Sequence, residues 1–201
     1  MSSFQKPPTV SDDQRAVDIY RKAADILYSR GFGVTSMGDI AETVDLTKGG
    51  LYYYIKGKEA LLFAIVNFAM DLVEKEVMAP AEAISDPQER LAKIVAGHIR
   101  LVLREPSTMA LLVNEDENLS AEHRAKIAAR KSTFVGFLRA TIEAVVAERP
   151  SSGPVPDSAV AAFSLLGMIH WTVRWYRPDG KLDSEEIIRQ LTQLALRGLI
   201  A

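Results

Sequence analysis

The chain has 201 residues, of which 48% are hydrophobic, so it can bury a substantial core and is not expected to be disordered. Its formal net charge of −2 excludes a uniformly basic coat for nucleic acid, so any contact with DNA must be local. The absence of cysteine excludes disulfides, thiolate metal sites and cysteine nucleophiles.

The first segment, Met1 to Asp12, is polar, contains Pro7-Pro8 and lacks the apolar core of a signal peptide. We expect the residues before Val10 to form an irregular arm. The longest apolar-rich run of the chain, residues 159–169, is too short to span a bilayer. These features predict a cytoplasmic protein that does not enter a membrane.

Helical spacing of apolar residues predicts a first helix from about Asp12 to Arg30, and Gly31-Phe32-Gly33 is typical of its end. Its apolar face consists of Ala16, Tyr20, Ala23, Ala24 and Leu27. We expect this helix to support the segment that follows it. The cations Arg15, Arg21 and Lys22 would contact phosphate if they faced DNA, and a solvated helix face is an equal alternative.

The next segment predicts two short helices around a tight turn. Thr35 or Ser36 can cap the first of them, because either hydroxyl can accept a free backbone N–H. Thr47 can cap the second, which runs from Lys48 toward Ile55. This arrangement is the outline of a helix-turn-helix, whose second helix enters the major groove of DNA.

The composition of the second short helix favours DNA contact. Gly49 and Gly50 each cost a helix roughly 1 kcal/mol relative to alanine, a cost that close approach to DNA explains better than stability does. Lysines supply positive charge, and tyrosine hydroxyls can reach phosphates or base edges, although some of the tyrosines are expected to pack. The candidate DNA-binding residues are Thr35, Ser36, Thr47, Lys48, Gly49, Gly50, Tyr52, Tyr53, Tyr54 and Lys58.

The same stretch resembles the DNA-binding domain of TetR-type transcriptional regulators. The shared pattern consists of Gly31-Phe32, Thr35-Ser36, Asp39-Ile40-Ala41, Lys48-Gly49, Leu51-Tyr52, Tyr53-Tyr54 and Lys58-Glu59-Ala60-Leu61-Leu62. The chain departs from the family at Asp45, where a turn glycine is usual, and aspartate tolerates left-handed geometry less well than glycine. The resemblance implies a dimer that binds double-stranded operator DNA.

Helical patterns continue through the rest of the chain, with no strand alternation of useful length. A long helix is predicted from Lys58 to Met78, ended by Pro80, and others follow Asp86-Pro87 and Ser120, with a loop at residues 149–156. The predicted fold is all-α with about nine helices. A three-helix helix-turn-helix domain at residues 10–57 precedes a larger ligand-binding and dimerisation domain at residues 58–201.

The last two helices are predicted at Asp157 to about Tyr176 and after Asp183, which with Glu186 resembles a capping box. The last helix is apolar on more than one face, so it is either central or shared with another subunit. In TetR-type proteins these two helices pair with their copies in a dimer, and the resemblance implies a homodimer here.

The resemblance also implies a cavity for a small effector among the middle helices. Candidate lining residues are His98, Met109, Leu112, Phe134, Phe137, His170, Trp171 and Trp175. The apolar members can equally be core, and each histidine can equally be a core residue bonded to a backbone carbonyl. The three histidines show no metal-ligand spacing, so no metal is predicted.

The segment from Gly167 to Gly180, followed by Asp183 to Ile187, resembles TetR-type repressors of fatty-acid or steroid breakdown that sense acyl-CoA thioesters. Such a ligand needs an apolar tunnel and cations near its mouth. The candidate cations are Arg124, Lys126, Arg130 and Lys131, a run that can equally be a solvated face. Packing in a dimer is the alternative role for the tryptophans of this segment.

These features and the resemblance predict a TetR-type repressor that is released from a palindromic operator by a small apolar effector, with an acyl-CoA as the candidate. The alternative within the family is a repressor of an efflux or detoxification gene that senses a xenobiotic. Whether the effector frees or tightens DNA stays open. No catalytic motif or cofactor site is present, so we do not expect an enzyme.

Overall fold

The structure, a computed structural model, describes residues 10–148 and 156–200. Within these ranges the chain forms nine α-helices and no strand, which confirms the predicted all-α fold. The expected N-terminal arm and most of the expected 149–156 loop lie outside the described residues. The helices are α1 (Val10–Arg30), α2 (Met37–Thr43), α3 (Lys48–Tyr54), α4 (Lys58–Val73, with its continuation below), α5 (Pro87–Arg104), α6 (Pro106–Asn114), α7 (Ala121–Ala147), α8 (Ser158–Trp175) and α9 (Ser184–Ile200).

The helix-turn-helix prediction is confirmed by α2 and α3. Ser36 begins α2 with a capping box, because its Oγ accepts the Asp39 N–H at 3.2 Å and the Asp39 carboxylate accepts the Ser36 N–H at 2.8 Å. Thr47 caps α3 by accepting the Gly50 N–H at 3.0 Å. Asp45 adopts the left-handed conformation in the turn, with φ of 58°.

The predicted end of α4 at Pro80 is wrong. The helix continues from Val73 through a π-helical turn, Glu74–Met78, into a last segment, Ala79–Glu82. In the π turn the Ala79 N–H bonds to the carbonyl of Glu74, five residues earlier. This wider turn makes room for a proline ring, which in a regular helix would meet the carbonyl four residues before it.

The caps predicted for three of the later helices are present. Asp86 accepts the Glu89 N–H at 2.7 Å, and Ser120 accepts the His123 N–H at 3.2 Å. Before α9 only half of the predicted box forms: Asp183 accepts the Glu186 N–H at 2.8 Å. The Glu186 carboxylate instead binds Arg189 and Gln190, and these bonds lower the pKa of Glu186 to about 2.

The two halves of the chain share one continuous core. Helix α6 packs on both α1 and α4, while α5 packs on α7, α8 and α9 at the centre of the larger half. The predicted domain boundary falls at Gly57, which has φ of 142° just before α4. Of the described helices, none is both long and apolar enough to cross a membrane.

Candidate DNA-binding and effector sites

Helix α3 presents one face to the core and another to solvent. Leu51 is completely buried and anchors the helix, whereas Tyr53 is 85% exposed and Tyr52 is 44% exposed. A Cβ atom placed on Gly49 would meet nothing within 4 Å, so this side of the first turn is open. The structure therefore brings Lys48, Gly49 and the tyrosines together on one accessible surface.

Gly50 has a structural role of its own. A Cβ atom at this position would lie 3.2 Å from Oγ1 of Thr47, the atom that accepts the Gly50 N–H. A side chain at this position would crowd the capping hydrogen bond, so the glycine preserves the N-cap of α3 and also leaves its first turn free of side-chain bulk. The hydroxyl of Thr47 is likewise occupied by capping.

Lys58, which was predicted to contact DNA phosphate, is engaged within the protein. Its Nζ donates to the carbonyl oxygens of Phe32 at 2.6 Å and Thr35 at 2.8 Å. The same ammonium group lies 4.4 Å from the centre of the Phe32 ring. Lys58 therefore fastens the start of α4 to the α1–α2 loop, and its charge is used inside the protein.

Thr35 is also misplaced in the predicted DNA-binding set. It is 2% exposed and its hydroxyl donates to the Gly31 carbonyl at 2.8 Å, so it closes the end of α1. Two cations of α1 are engaged as well. Arg21 bonds to the buried carboxylate of Glu105 at 2.7 Å, and Lys22 pairs with Asp45 of the turn at 2.6 Å.

A cavity of about 310 Å³ lies between α4, α5, α6, α7 and α8. Four predicted effector residues line it: His98, Leu112, Phe134 and His170. Lys131, predicted as a cation near the mouth, lines it as well. Seven further lining residues were not predicted, although helical spacing was a usable signal for those on α7 and α8. They are Met70, Val73, Val113, Val135, Phe163, Leu166 and Gly167.

The two cavity histidines are the distinctive polar groups of the cavity. The His98 ring lies edge-on to His170 at 5.0 Å and to Phe134 at 5.2 Å between ring centres. Neither ring nitrogen of His98 has a hydrogen-bond partner in the described part of the chain. Burial, and then the neighbouring His170, holds the pKa of His98 well below its usual value. Burial and Lys131 lower the pKa of His170 to about 4, so both rings are neutral at pH 7.

Four of the predicted effector residues do not line the cavity. Met109 is fully buried in the core, and Phe137 packs against the core from its edge. Trp171 is 64% exposed and Trp175 is 44% exposed, so both tryptophans lie on the outer surface of α8. Apolar character marks burial or exposure to a partner equally well, so it did not separate these four from the cavity lining. Trp171 lines the groove beside the cavity instead, and its predicted contact with the ligand stays a prediction.

A surface groove continues from the cavity. It shares Val113, Gly167 and His170 with the cavity and extends past Trp171 to Arg174. Arg174 has no carboxylate within 4.0 Å in the described ranges. A Cβ atom on Gly167, which lines both the cavity and the groove, would meet nothing within 4 Å, so the space beside this residue is open.

The four cations predicted for the mouth are already engaged by the protein. Arg130 bonds to Glu74 at 2.8 Å and Asp71 at 2.7 Å, while Arg124 donates to backbone carbonyls. Lys126 pairs with Glu122 on its own helix. Lys131 lines the cavity but is held by Asp116 at 2.7 Å.

Large apolar side chains remain exposed on the last two helices. They are Val160, Phe163, Trp171 and Trp175 on α8, and Leu194 on α9. The members on α8 recur at helical spacing along one side. A row of this kind is typical of a protein–protein interface. Among the described residues, no group of three potential ligands could hold a metal ion.

An exposed, capped α3 on a helix-turn-helix, carried by an all-helical body, defines the class of helix-turn-helix DNA-binding proteins. Residues 19–65 match the family model described as bacterial regulatory proteins, tetR family. Residues 85–199 match the model of the tetracyclin repressor-like C-terminal domain. The chain belongs to the TetR family of transcriptional regulators.

Relatives with known roles are regulators of the same kind. The chain is 26% identical to the HTH-type transcriptional repressor KstR2 of Rhodococcus jostii, over 96% of this chain and 97% of that protein. It is 37% identical to AibR in a crystal structure with isovaleryl coenzyme A and operator DNA, with a TM-score of 0.80 over 90% of this chain and 97% of AibR. Apo AibR superposes with a TM-score of 0.78 at 36% identity, over 90% and 97% of the two chains. These relatives agree with the prediction of a regulator rather than an enzyme.

Proposed function

We propose that this protein is a dimeric repressor that binds a palindromic operator through α3 and releases it when an acyl-CoA thioester fills the cavity. One observation carries the proposal. The exposed α3 surface and the apolar cavity occur in a chain 37% identical to AibR, whose crystal structure contains both isovaleryl coenzyme A and operator DNA. We further infer a cytoplasmic location, where bacterial operator DNA is found.

For DNA contact we retain the accessible members of the predicted set. These are Ser36, Thr47, Lys48, Gly49, Gly50, Tyr52, Tyr53 and Tyr54, of which Tyr53 is the most exposed tyrosine at 85%. Ser36 and Thr47 would present backbone and cap atoms to phosphate, since their hydroxyls already serve as caps. Tyr53 is the candidate for contact with base edges.

The Tyr53→Ala variant tests this surface. Binding is measured by fluorescence anisotropy on the duplex upstream of the protein's own gene and on a random duplex of equal length. We expect a loss of about tenfold or more on the first duplex and little change on the second, because a base contact carries about 1–3 kcal/mol of discrimination. Equal losses on both duplexes, at an unchanged melting temperature, would count against base readout.

For the effector, we infer that the acyl group occupies the cavity and that the polar part of coenzyme A follows the groove to Arg174. A guanidinium without a carboxylate partner is suited to bind a phosphate. In our test, isovaleryl-CoA is compared with the same acyl group on N-acetylcysteamine, which lacks phosphates. Arg174→Gln should weaken the first ligand about tenfold and leave the second unchanged.

The release step is tested with a panel of acyl-CoA esters. An ester that binds should raise the melting temperature by mass action and lower the affinity for the upstream duplex. If no ester does either, the effector part of the proposal is wrong. The proposed DNA-binding function is judged separately, by the duplex measurements.

A further inference from the structure

His98 is a polar side chain that the protein itself does not satisfy. It is 2% exposed, lines the cavity and has no hydrogen-bond partner at Nδ1 or Nε2 among the described residues. Buried polar groups in folded proteins nearly always have a partner, and those that lack one call for an explanation. A ligand that enters the cavity is the available source of that partner.

The surroundings of His98 indicate which ligand group it can take. The other lining side chains are apolar except for His170 and Lys131, and the Lys131 ammonium is held by both carboxylate oxygens of Asp116 at 2.7 Å. A ligand carboxylate would therefore meet no free cation in the cavity. A neutral imidazole offers one donor and one acceptor, which match a hydroxyl group fully and a carbonyl group partly.

The two histidines lie at different depths. His170 lines both the cavity and the groove, so it lies where the two adjoin. His98 lines the cavity alone, beside Met70 and Val73 of α4. If the thioester carbonyl, which every acyl-CoA carries, lies near His170, the position beside His98 falls to an oxygen further along the acyl chain.

We propose that His98 selects effectors whose acyl group carries a neutral oxygen, a hydroxyl or a ketone, over plain hydrocarbon acyl groups. The cavity volume of about 310 Å³ limits this acyl group to about ten non-hydrogen atoms, if each takes the ~30 Å³ of a water molecule. This inference rests on the proposed acyl-CoA function and specifies the ligand of the same cavity.

The test compares three coenzyme A esters of equal chain length: butyryl-CoA, 3-hydroxybutyryl-CoA and acetoacetyl-CoA. Their dissociation constants are measured calorimetrically on the full chain. We expect the better of the two oxygenated esters to bind at least about tenfold more tightly than butyryl-CoA, a difference that one hydrogen bond to a buried group can supply. Butyryl-CoA binding as tightly as both oxygenated esters would overturn the inference and leave the proposed function intact.

Variants then assign the effect to His98. In His98→Leu the dissociation constants of the oxygenated esters and of butyryl-CoA should agree to within about twofold. The melting temperature of the ligand-free protein should not fall, because an unpaired polar group has been removed. His98→Gln keeps a donor and an acceptor, so it should retain part of the preference and serves as the test if His98→Leu fails to fold. His170→Leu should weaken all three esters alike. A preference that survives His98→Leu contradicts the assignment. Binding of none of the three esters, while another ester of the panel binds, overturns this inference alone. Binding of no ester in the panel overturns the acyl-CoA function together with it.

Discussion

At the scale of single residues, Lys48 and Lys58 lie close to α3 but differ in their surroundings. Lys48 is exposed at the first turn of α3, whereas the ammonium group of Lys58 is held by the carbonyls of Phe32 and Thr35. A lysine in the sequence carries the same charge in both places. The structure distinguishes a charge available to DNA from one that fastens two elements together.

A matched pair of variants separates these two roles. Lys48→Met should lower the slope of log affinity against log salt by about 0.9 per protomer, because one phosphate contact is lost. Lys58→Met should leave that slope unchanged and destabilise the protein by about 1–3 kcal/mol, because two carbonyls lose a charged donor. Anisotropy titrations over a salt series and urea unfolding measure the two effects. A lower salt slope for Lys58→Met would restore it to the DNA-binding surface.

The cavity histidines predict a pH dependence of stability. Burial lowers the pKa of both, and that of His170 falls to about 4, while an unfolded histidine has a pKa near about 6.5. Between these two pH values the unfolded state binds more protons than the folded state does. The contribution of the histidines to the free energy of unfolding is therefore fully present above about pH 6.5 and is lost as the pH falls. We expect His170 to contribute a loss of about 2 kcal/mol between pH 7 and pH 5, and His98 a further loss in the same direction. Urea unfolding at the two pH values measures it, and the loss should be smaller in a variant with both histidines replaced by leucine.

Residue types alone located part of the cavity proposed to hold the effector. His98 and His170 were identified from the sequence because a histidine in an apolar helix is conspicuous. Trp171 and Trp175 were wrongly assigned to the cavity, since a tryptophan can lie against a core, a ligand or a partner subunit. Gly167 was not identified, because the space beside a glycine depends on the packing of other helices.

At the scale of elements, α7 connects the cavity with the DNA-binding half. Lys131, Phe134 and Val135 of this helix line the cavity. At its other end, the Ser120 N–H and the His123 ring bond to Glu59 Oε1, each at 2.8 Å, and the His123 ring stacks on Phe63 of α4 at 3.7 Å. Glu59 is the neighbour of Lys58, so a shift of α7 would reach the α1–α2 loop directly.

This connection predicts a variant with weakened coupling. Glu59→Gln should reduce the effector-induced loss of DNA affinity by about fivefold or more, because allosteric coupling between two sites typically amounts to about 1–3 kcal/mol. The matched control is Glu122→Gln, which breaks an exposed pair with Lys126 inside α7 and leaves the contact with α4 intact. Anisotropy titrations with and without acyl-CoA give the two dissociation constants for DNA, and their ratio measures the coupling. Equal ratios in Glu59→Gln and the native protein would show that α7 transmits by another contact.

Element boundaries followed from the sequence where local chemistry decides them. The Ser36, Thr47, Asp86 and Ser120 caps all form, because a cap depends on residues three apart in the chain. The end of α4 at Pro80 was wrong, because the π turn that accommodates the proline is not visible in residue preferences.

At the scale of the whole molecule, the exposed apolar row on α8, together with Leu194 of α9, calls for a partner. Leu194 is 62% exposed, so Leu194→Glu should leave the protomer folded and weaken dimerisation, with loss of DNA affinity as a consequence. Gln88→Glu adds the same charge to the exposed start of α5 and should change neither property. Sedimentation velocity measures the oligomeric state of each variant. A Leu194→Glu protein that sediments like the native one would show that the interface lies elsewhere.

In the proposed dimer, two α3 helices are held at the spacing of successive major grooves. Since the chain has no cysteine, Lys56→Cys, just after α3 and outside the proposed contact set, introduces a single attachment point for a spin label on each protomer. Pulsed electron resonance on the DNA-bound protein should give a distance near about 34 Å, broadened by the label arms, because one turn of DNA separates the half-sites. An acyl-CoA that releases DNA should move or broaden this distance. A protein that binds the duplex yet shows no dipolar signal, or a distance below about 20 Å, would contradict the account.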